Sequence, residues 1–193
     1  FMNRSEINDI LRAGDAFIRG FGFILPPFAY WTPDAMRDPK AAALRGAGLG
    51  WDITDYGQGR FDEMGLFLFT TRNGSNADLS AGRGMLYAEK IMITRQNQLS
   101  PMHRHNLKAE DIINRGGGDL IIELFAPNAA GGIDRDSDVT VPSDGMPVTL
   151  RAGGKLRLTP GQSVTFGQVD CLTSFKSQLE FKPRQRLPRL ARC

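Results

Sequence analysis

The chain uses histidine twice, as His103 and His105, one residue apart inside PMHRHNLKAEDIINRGGG, residues 101–118. Glu110 lies five residues beyond His105. On a strand, side chains at i and i+2 share a face, so both imidazoles would project together into a barrel interior. The residues between His105 and Glu110 give the chain room to turn and supply a carboxylate. Neutral imidazole with carboxylate suits Mn²⁺, Fe²⁺, Ni²⁺ or Zn²⁺. Such a set leaves coordination positions open, which marks a catalytic site rather than a structural one. The bland alternative is two surface histidines beside a surface glutamate. The fuller pattern favours the metal: His-x-His, four residues, Glu110, six residues, Gly117, all following a predicted strand.

The elements that must position these groups are legible in outline. Ser5 caps a predicted helix over residues 6–20, with Ile7, Ile10, Leu11, Phe17, Ile18 and Phe21 at helical spacing. Thr32 and Pro33 open a second, short helix that ends in glycine. From about residue 50 the texture turns to strands. MGLFLFTTRNGS reads as a strand running into an Asn-Gly turn, and LYAEKIMITRQNQL and GDLIIELFAP read as further strands. Three more short strands are expected over residues 138–166, among the turn signals Ser143-Asp144-Gly145, Gly153-Gly154 and Pro160-Gly161. Many short, regularly spaced strands predict a mainly β sandwich or jelly-roll barrel with N-terminal helices.

A length of 193 residues with 41% hydrophobic and 23% charged residues fits one soluble globular protein with a sizeable core. No apolar run approaches the ~18 residues of a membrane span. The N-terminal stretch lacks the layout of a signal peptide, so a cytoplasmic protein with no membrane partner is expected. The net charge is +3, but residues 167–193 alone carry +4, which leaves −1 for the rest. The basic excess therefore belongs to the tail and gives no nucleic-acid signal for the body. Cys171 and Cys193 also lie in the tail, so neither a disulfide framework nor a thiolate metal site is possible before it. Trp51, Asp52, Asp55, Arg60 and Asp62 sit in a glycine-punctuated segment and are expected to fix a loop or a subunit contact rather than to perform chemistry.

The histidine–glutamate pattern resembles the first motif of the cupin superfamily, with Asn97 where cupins have a glycine six residues before the first histidine. Asparagine tolerates the left-handed conformation which that glycine supplies. The blocks GWDITDYGQGRFDEMGLFLFTTRNG, YAEKIMITRQNQLSPMHRHNLKAEDIINRGGGDLIIEL and LRLTPGQS, with SEINDILRAG and LPPFAYWTP before them, resemble the D-lyxose ketol-isomerases, over about residues 3–166. That resemblance implies a manganese-dependent aldose–ketose isomerase. It would interconvert D-lyxose and D-xylulose, often also D-mannose and D-fructose, as a homodimer. It implies metal ligation by His103, His105 and Glu110, and sugar contact or charge stabilisation by Lys90 and Lys108. The division expected is an N-terminal helical segment (1–50) packed on the barrel, a cupin barrel core (51–166) and an atypical basic tail (167–193).

Isomerisation moves a hydrogen between C1 and C2. A divalent cation can polarise the carbonyl, and a lysine aids the charge that develops on the substrate oxygens. Metal binding needs unprotonated imidazole, so activity is expected to fall as pH drops through histidine's titration range.

The resemblance ends near Phe166. A second cupin motif would supply a further histidine within about a dozen residues of LRLTPGQS, but no histidine follows His105. A change of reading frame near Phe166 accounts for this, since codons for Gly167–Thr173 read two bases on permit Pro-Gly and then His. A genuine tail, either docked on the barrel or binding a partner through its charge, is the alternative. A disordered tail is equally open; losing the last strands would open a sheet edge, and losing a fourth ligand would weaken metal binding. An Fe²⁺ cupin oxygenase and a non-catalytic sugar-binding cupin are the competing functions.

Overall fold

The computed structural model describes residues 2–104, 109–167 and 172–178. The chain divides into two compact units, residues 1–100 and 101–193.

In the first unit the expected helix is α1, Arg4–Gly20. Its cap is Asn3 rather than Ser5. The Asn3 side chain accepts from the Glu6 N–H at 2.9 Å, and the Ser5 hydroxyl donates to the same Asn3 oxygen at 2.6 Å. Both residue types cap well, and Asn3 captures the helix start because Ser5 already sits inside the first turn. The buried stripe of α1 is Ile10, Gly14 and Ile18. Phe17 and Phe21 lie outside it, partly exposed and edge to face at 5.1 Å.

Strands β1 (Gly50–Thr54), β2 (Leu66–Asn73) and β3 (Ala88–Ile93) form an antiparallel sheet in that order. Register puts Trp51 opposite Phe69, Ile53 opposite Phe67, and both phenylalanines opposite Ile91 and Ile93. Directly paired residues share a face, so one face of this sheet is aromatic and aliphatic. It packs on Ile10 and Ile18 of α1. Helix α2 (Pro33–Arg37) begins as predicted, with the Thr32 hydroxyl accepting from the Ala35 N–H at 3.2 Å, and α3 (Ala42–Gly46) follows. The Asn73-Gly74 turn does not close a hairpin. The Ser75 hydroxyl accepts from the Asp78 N–H at 3.0 Å and starts α4 (Asn76–Ala81) instead, a cap that outcompetes the turn.

The remaining strands are β4 (Leu99–His103), β5 (Glu110–Ile113), β6 (Asp119–Phe125), β7 (Val139–Ser143), β8 (Met146–Leu150), β9 (Gly154–Leu158), β10 (Ser163–Phe166) and β11 (Leu172–Gln178). They form two sheets, ordered β4-β11-β6-β9 and β5-β10-β7-β8. This interleaving of early and late strands is the jelly-roll order, two Greek keys closed on each other. The mainly β, jelly-roll fold class with N-terminal helices is therefore the one observed. Four strands rather than three occupy residues 138–166, because three turns separate four strands. The first turn, Asp144-Gly145, has φ of +50° and +80°, the signature of a tight hairpin. Ile112, Ile122, Leu124, Val139, Val141, Leu156, Leu158, Val164 and Phe166 are buried at alternate positions of the two sheets, as a two-sheet core requires.

Strand β11 corrects the expectation of an open sheet edge. It lies in the tail, pairs with β6 from Leu172↔Phe125 to Gln178↔Asp119, and sits between β4 and β6. A strand ladder is made by backbone groups, and 172–178 contains neither proline nor glycine to interrupt it. The rest of the expected tail, 168–171 and 179–193, lies outside the described residues. Among the described residues no helix is long and apolar enough to cross a membrane.

A carbon added at Gly14 would lie 2.5 Å from Phe67 Cζ and 3.2 Å from Ile93 Cδ1. Alanine ordinarily improves a helix interior over glycine by about 0.5–1 kcal/mol. At Gly14 the sign reverses, because overpacking against Phe67 costs about 1–3 kcal/mol. Gly14→Ala is expected to lower the thermal unfolding midpoint; an unchanged or raised midpoint would contradict this packing.

Candidate metal centre

Strands β4 and β5 lie in different sheets, and so do β10 and β11. The first residue of β5, Glu110, is opposite the last residue of β10, Phe166. The first residue of β11, Leu172, is opposite the last residue of β6, Phe125. The ends of β4, β6 and β10 and the starts of β5 and β11 therefore gather at one mouth, with His103 and Glu110 on its two sheets.

Strand β5 alternates cleanly. Glu110 shares its face with buried Ile112, and their register partners Phe166 and Val164 are buried too, so the carboxylate belongs to the inner face. Its Oε2 atom is buried. Asp111 points the other way and accepts from the Thr165 hydroxyl at 2.5 Å, an outer-face contact rather than support for a ligand.

His103 ends β4 and is half-buried. Its Nδ1 lies 2.9 Å from the Pro101 carbonyl. A carbonyl only accepts, so Nδ1 donates in this contact, the kind of backbone bond that orients metal-ligating histidines. Ser100 of the same strand is buried, with its hydroxyl 3.5 Å from that of Tyr56. Alternation puts His103 and Ser100 on opposite faces of β4. Asn97 has φ of +60°, the left-handed backbone for which the cupin pattern uses glycine.

His105 and Lys108 lie outside the described residues. Among the described residues no three His, Cys, Asp or Glu side chains gather as a metal site. Lys90 stands exposed on β3 of the first unit, opposite Thr70, on the sheet face away from α1. The donors described fit a divalent cation in kind: an imidazole oriented by a backbone carbonyl, and a carboxylate inside the barrel mouth.

Arg104, the residue between the two histidines, was not singled out from sequence. Its guanidinium lies over Gly131, in the loop between β6 and β7. The paired glycines of GGIDRDSD were the only signal available, and they do not say what approaches them.

The block around Asp55 fixes a loop, as expected. The Asp55 carboxylate accepts from the Gly57 and Gly59 N–H groups, each at 2.9 Å, and holds Tyr56 at φ of +54°. Trp51 donates to the Ala29 carbonyl at 3.1 Å, Arg60 pairs with Glu63 at 3.1 Å, and Arg95 pairs with Asp62. Buried Gln98 closes the same loop, donating to the Phe61 carbonyl at 2.5 Å and accepting from the Arg95 N–H at 3.0 Å.

Comparison with known proteins places this geometry in context. The D-lyxose isomerase family matches residues 2–179, past the point where the resemblance read from sequence ends. A D-lyxose/D-mannose isomerase of Serratia proteamaculans is 43% identical over 176 residues, covering 89% of this chain and 73% of the relative. One from Escherichia coli O157:H7 is 45% identical over 166 residues, covering 84% and 72%. Among solved structures, the L-ribose isomerase of Acinetobacter sp. DL28 in complex with L-ribose is similar at a TM-score of 0.45 and 13% identity, covering 95% of this chain and 84% of that one.

Hydrogen bonds from the Gly57 N–H first, and from the Gly59 N–H, hold the Asp55 carboxyl below its usual range despite burial. A depressed folded pKa stabilises above the unfolded value of about 3.9, and that stability is lost as pH falls through the folded value. Asp55→Asn is therefore expected to be less stable near neutrality and to show a flatter stability profile below about pH 4. Acid titration followed by circular dichroism checks this, and parallel profiles for the two proteins would contradict it.

Proposed function

The chain belongs to the D-lyxose isomerase family, and from that premise we propose that it interconverts aldoses and ketoses as a homodimer: D-lyxose with D-xylulose, and D-mannose with D-fructose. His103, His105 and Glu110 would hold a divalent metal ion, manganese by resemblance. When bound, the ion supplies Lewis-acid polarisation of the sugar carbonyl.

The chain's own residues divide the remaining work. The Pro101 carbonyl accepts from His103 Nδ1 and so orients the imidazole as a ligand. Glu110 offers its carboxylate from the inner face of the barrel. Lys90 and Lys108 contact sugar oxygens and meet the negative charge that develops there. Glu110 is occupied as a ligand, so another group carries the proton between C1 and C2. The observation that supports the reading most is the His103–Pro101 hydrogen bond, a ligand-orienting contact at the first position of the motif.

No histidine follows His105. Held by His103, His105 and Glu110 alone, the ion would have three protein ligands, one fewer than in the two-motif cupin pattern, and weaker retention. The purified protein is expected to convert D-lyxose with added Mn²⁺, to lose activity on chelation, and to shed most of its metal on dialysis. His103→Ala should abolish both uptake and conversion. Stoichiometric manganese surviving dialysis would contradict the three-ligand reading. Bound manganese without conversion would contradict the isomerase, and oxygen consumption with Fe²⁺ in its place would favour an oxygenase.

A further inference from the structure

The loop from β6 to β7 rims the mouth that holds His103 and Glu110, since β6 ends there at Phe125. It is a built loop. The Asn128 side chain accepts from the Ala130 and Gly132 N–H groups at 3.0 and 2.9 Å and donates to the Ile133 carbonyl at 3.2 Å. Asp134 accepts from the Asp136 and Ser137 N–H groups at 2.9 and 3.1 Å. The Asp134 N–H returns to the Ala126 carbonyl at 2.9 Å, and Pro127 bridges to Ile133.

Gly131 is the point where this loop is touched from β4. Its φ is +78°. A carbon added there would lie 2.6 Å from Nη2 and 2.9 Å from Cζ of Arg104, and closer still to Nη1. The guanidinium thus rests on backbone that only glycine leaves bare. Arg104 is half-buried and makes no ion pair or hydrogen bond among the described residues that would explain its place otherwise. It follows His103 directly, so whatever fixes Arg104 fixes the backbone that carries the first imidazole.

We propose that Arg104 is a positioning residue: seated on Gly131, it ties the rim loop to the histidine-bearing end of β4 and so sets how tightly the metal is held. The inference rests on the metal reading above, and it concerns a contact that no ligand makes. A planar guanidinium fills this seat, while a lysine ammonium on a flexible stem does not.

The test is a double-mutant cycle on the purified chain, with Mn²⁺ affinity read by titration calorimetry and the bound ion's electron paramagnetic resonance spectrum recorded in each variant. Arg104→Ala and Gly131→Ala should each weaken Mn²⁺ binding roughly tenfold, the scale of lost support behind metal ligands. They should also broaden the bound-ion spectrum, and Arg104→Lys should not restore either property. In the double variant the losses should not multiply, because both changes remove one contact. The metal-free unfolding midpoint of Arg104→Ala should match that of the parent, which separates positioning from a general loss of stability. Unchanged affinity in Arg104→Ala while His103→Ala abolishes binding would overturn this inference alone, as would losses that multiply in the double variant. A parent chain that binds no Mn²⁺ at all would overturn the metal reading and this inference together.

Discussion

The ladder between β11 and β6 is the constraint on which the site depends. Strand β4 reaches its sheet only through β11, because the order is β4-β11-β6-β9. The strand that ends in His103 is therefore held by Leu172–Gln178, a segment late in the chain. What that segment must supply is backbone: seven consecutive residue pairs with β6 and no proline. A ladder constrains side-chain identity only loosely, and the family match runs through this strand to residue 179. Chemistry is less forgiving than pairing. A ladder accepts almost any residue, but a metal ligand must be a histidine or a carboxylate.

The jelly roll turns sequence separation into proximity. Glu110 and Phe166 are far apart in the chain but opposite one another in register, as are Phe125 and Leu172. Five strand ends meet at one mouth for that reason. The inner face of β5 and β10 is otherwise apolar, with Ile112, Val164 and Phe166 buried beside Glu110. A carboxylate oxygen is a donor that suits a divalent cation.

Much of this was legible in the residues, for reasons that differ from place to place. His103, His105 and Glu110 stood out because histidine is scarce and its spacing was regular. Asn97 could be assigned a left-handed backbone because few residue types tolerate it, and it adopts φ of +60°. The loop role of the Asp55 block was visible in its aspartate and glycines. Helix α4 was hidden because Asn73-Gly74 advertises a hairpin more strongly than Ser75 advertises a cap. Strand β11 was hidden because a ladder made of backbone leaves little trace in side-chain pattern. Arg104 was hidden because its partner Gly131 lies in a distant loop, and only the fold brings them together. The orientation of His103 by the Pro101 carbonyl was equally invisible, since every residue has the same carbonyl to offer.

The central claim is that imidazole and carboxylate from the two sheets grip one divalent ion at this mouth. Pulsed electron paramagnetic resonance of the Mn²⁺-loaded chain tests it most directly, because coordinated imidazole nitrogens modulate the echo. The account predicts nitrogen coupling from two histidines in the parent chain, lost together with the bound ion in His103→Ala. An echo with no nitrogen coupling, matching hydrated manganese, would contradict it.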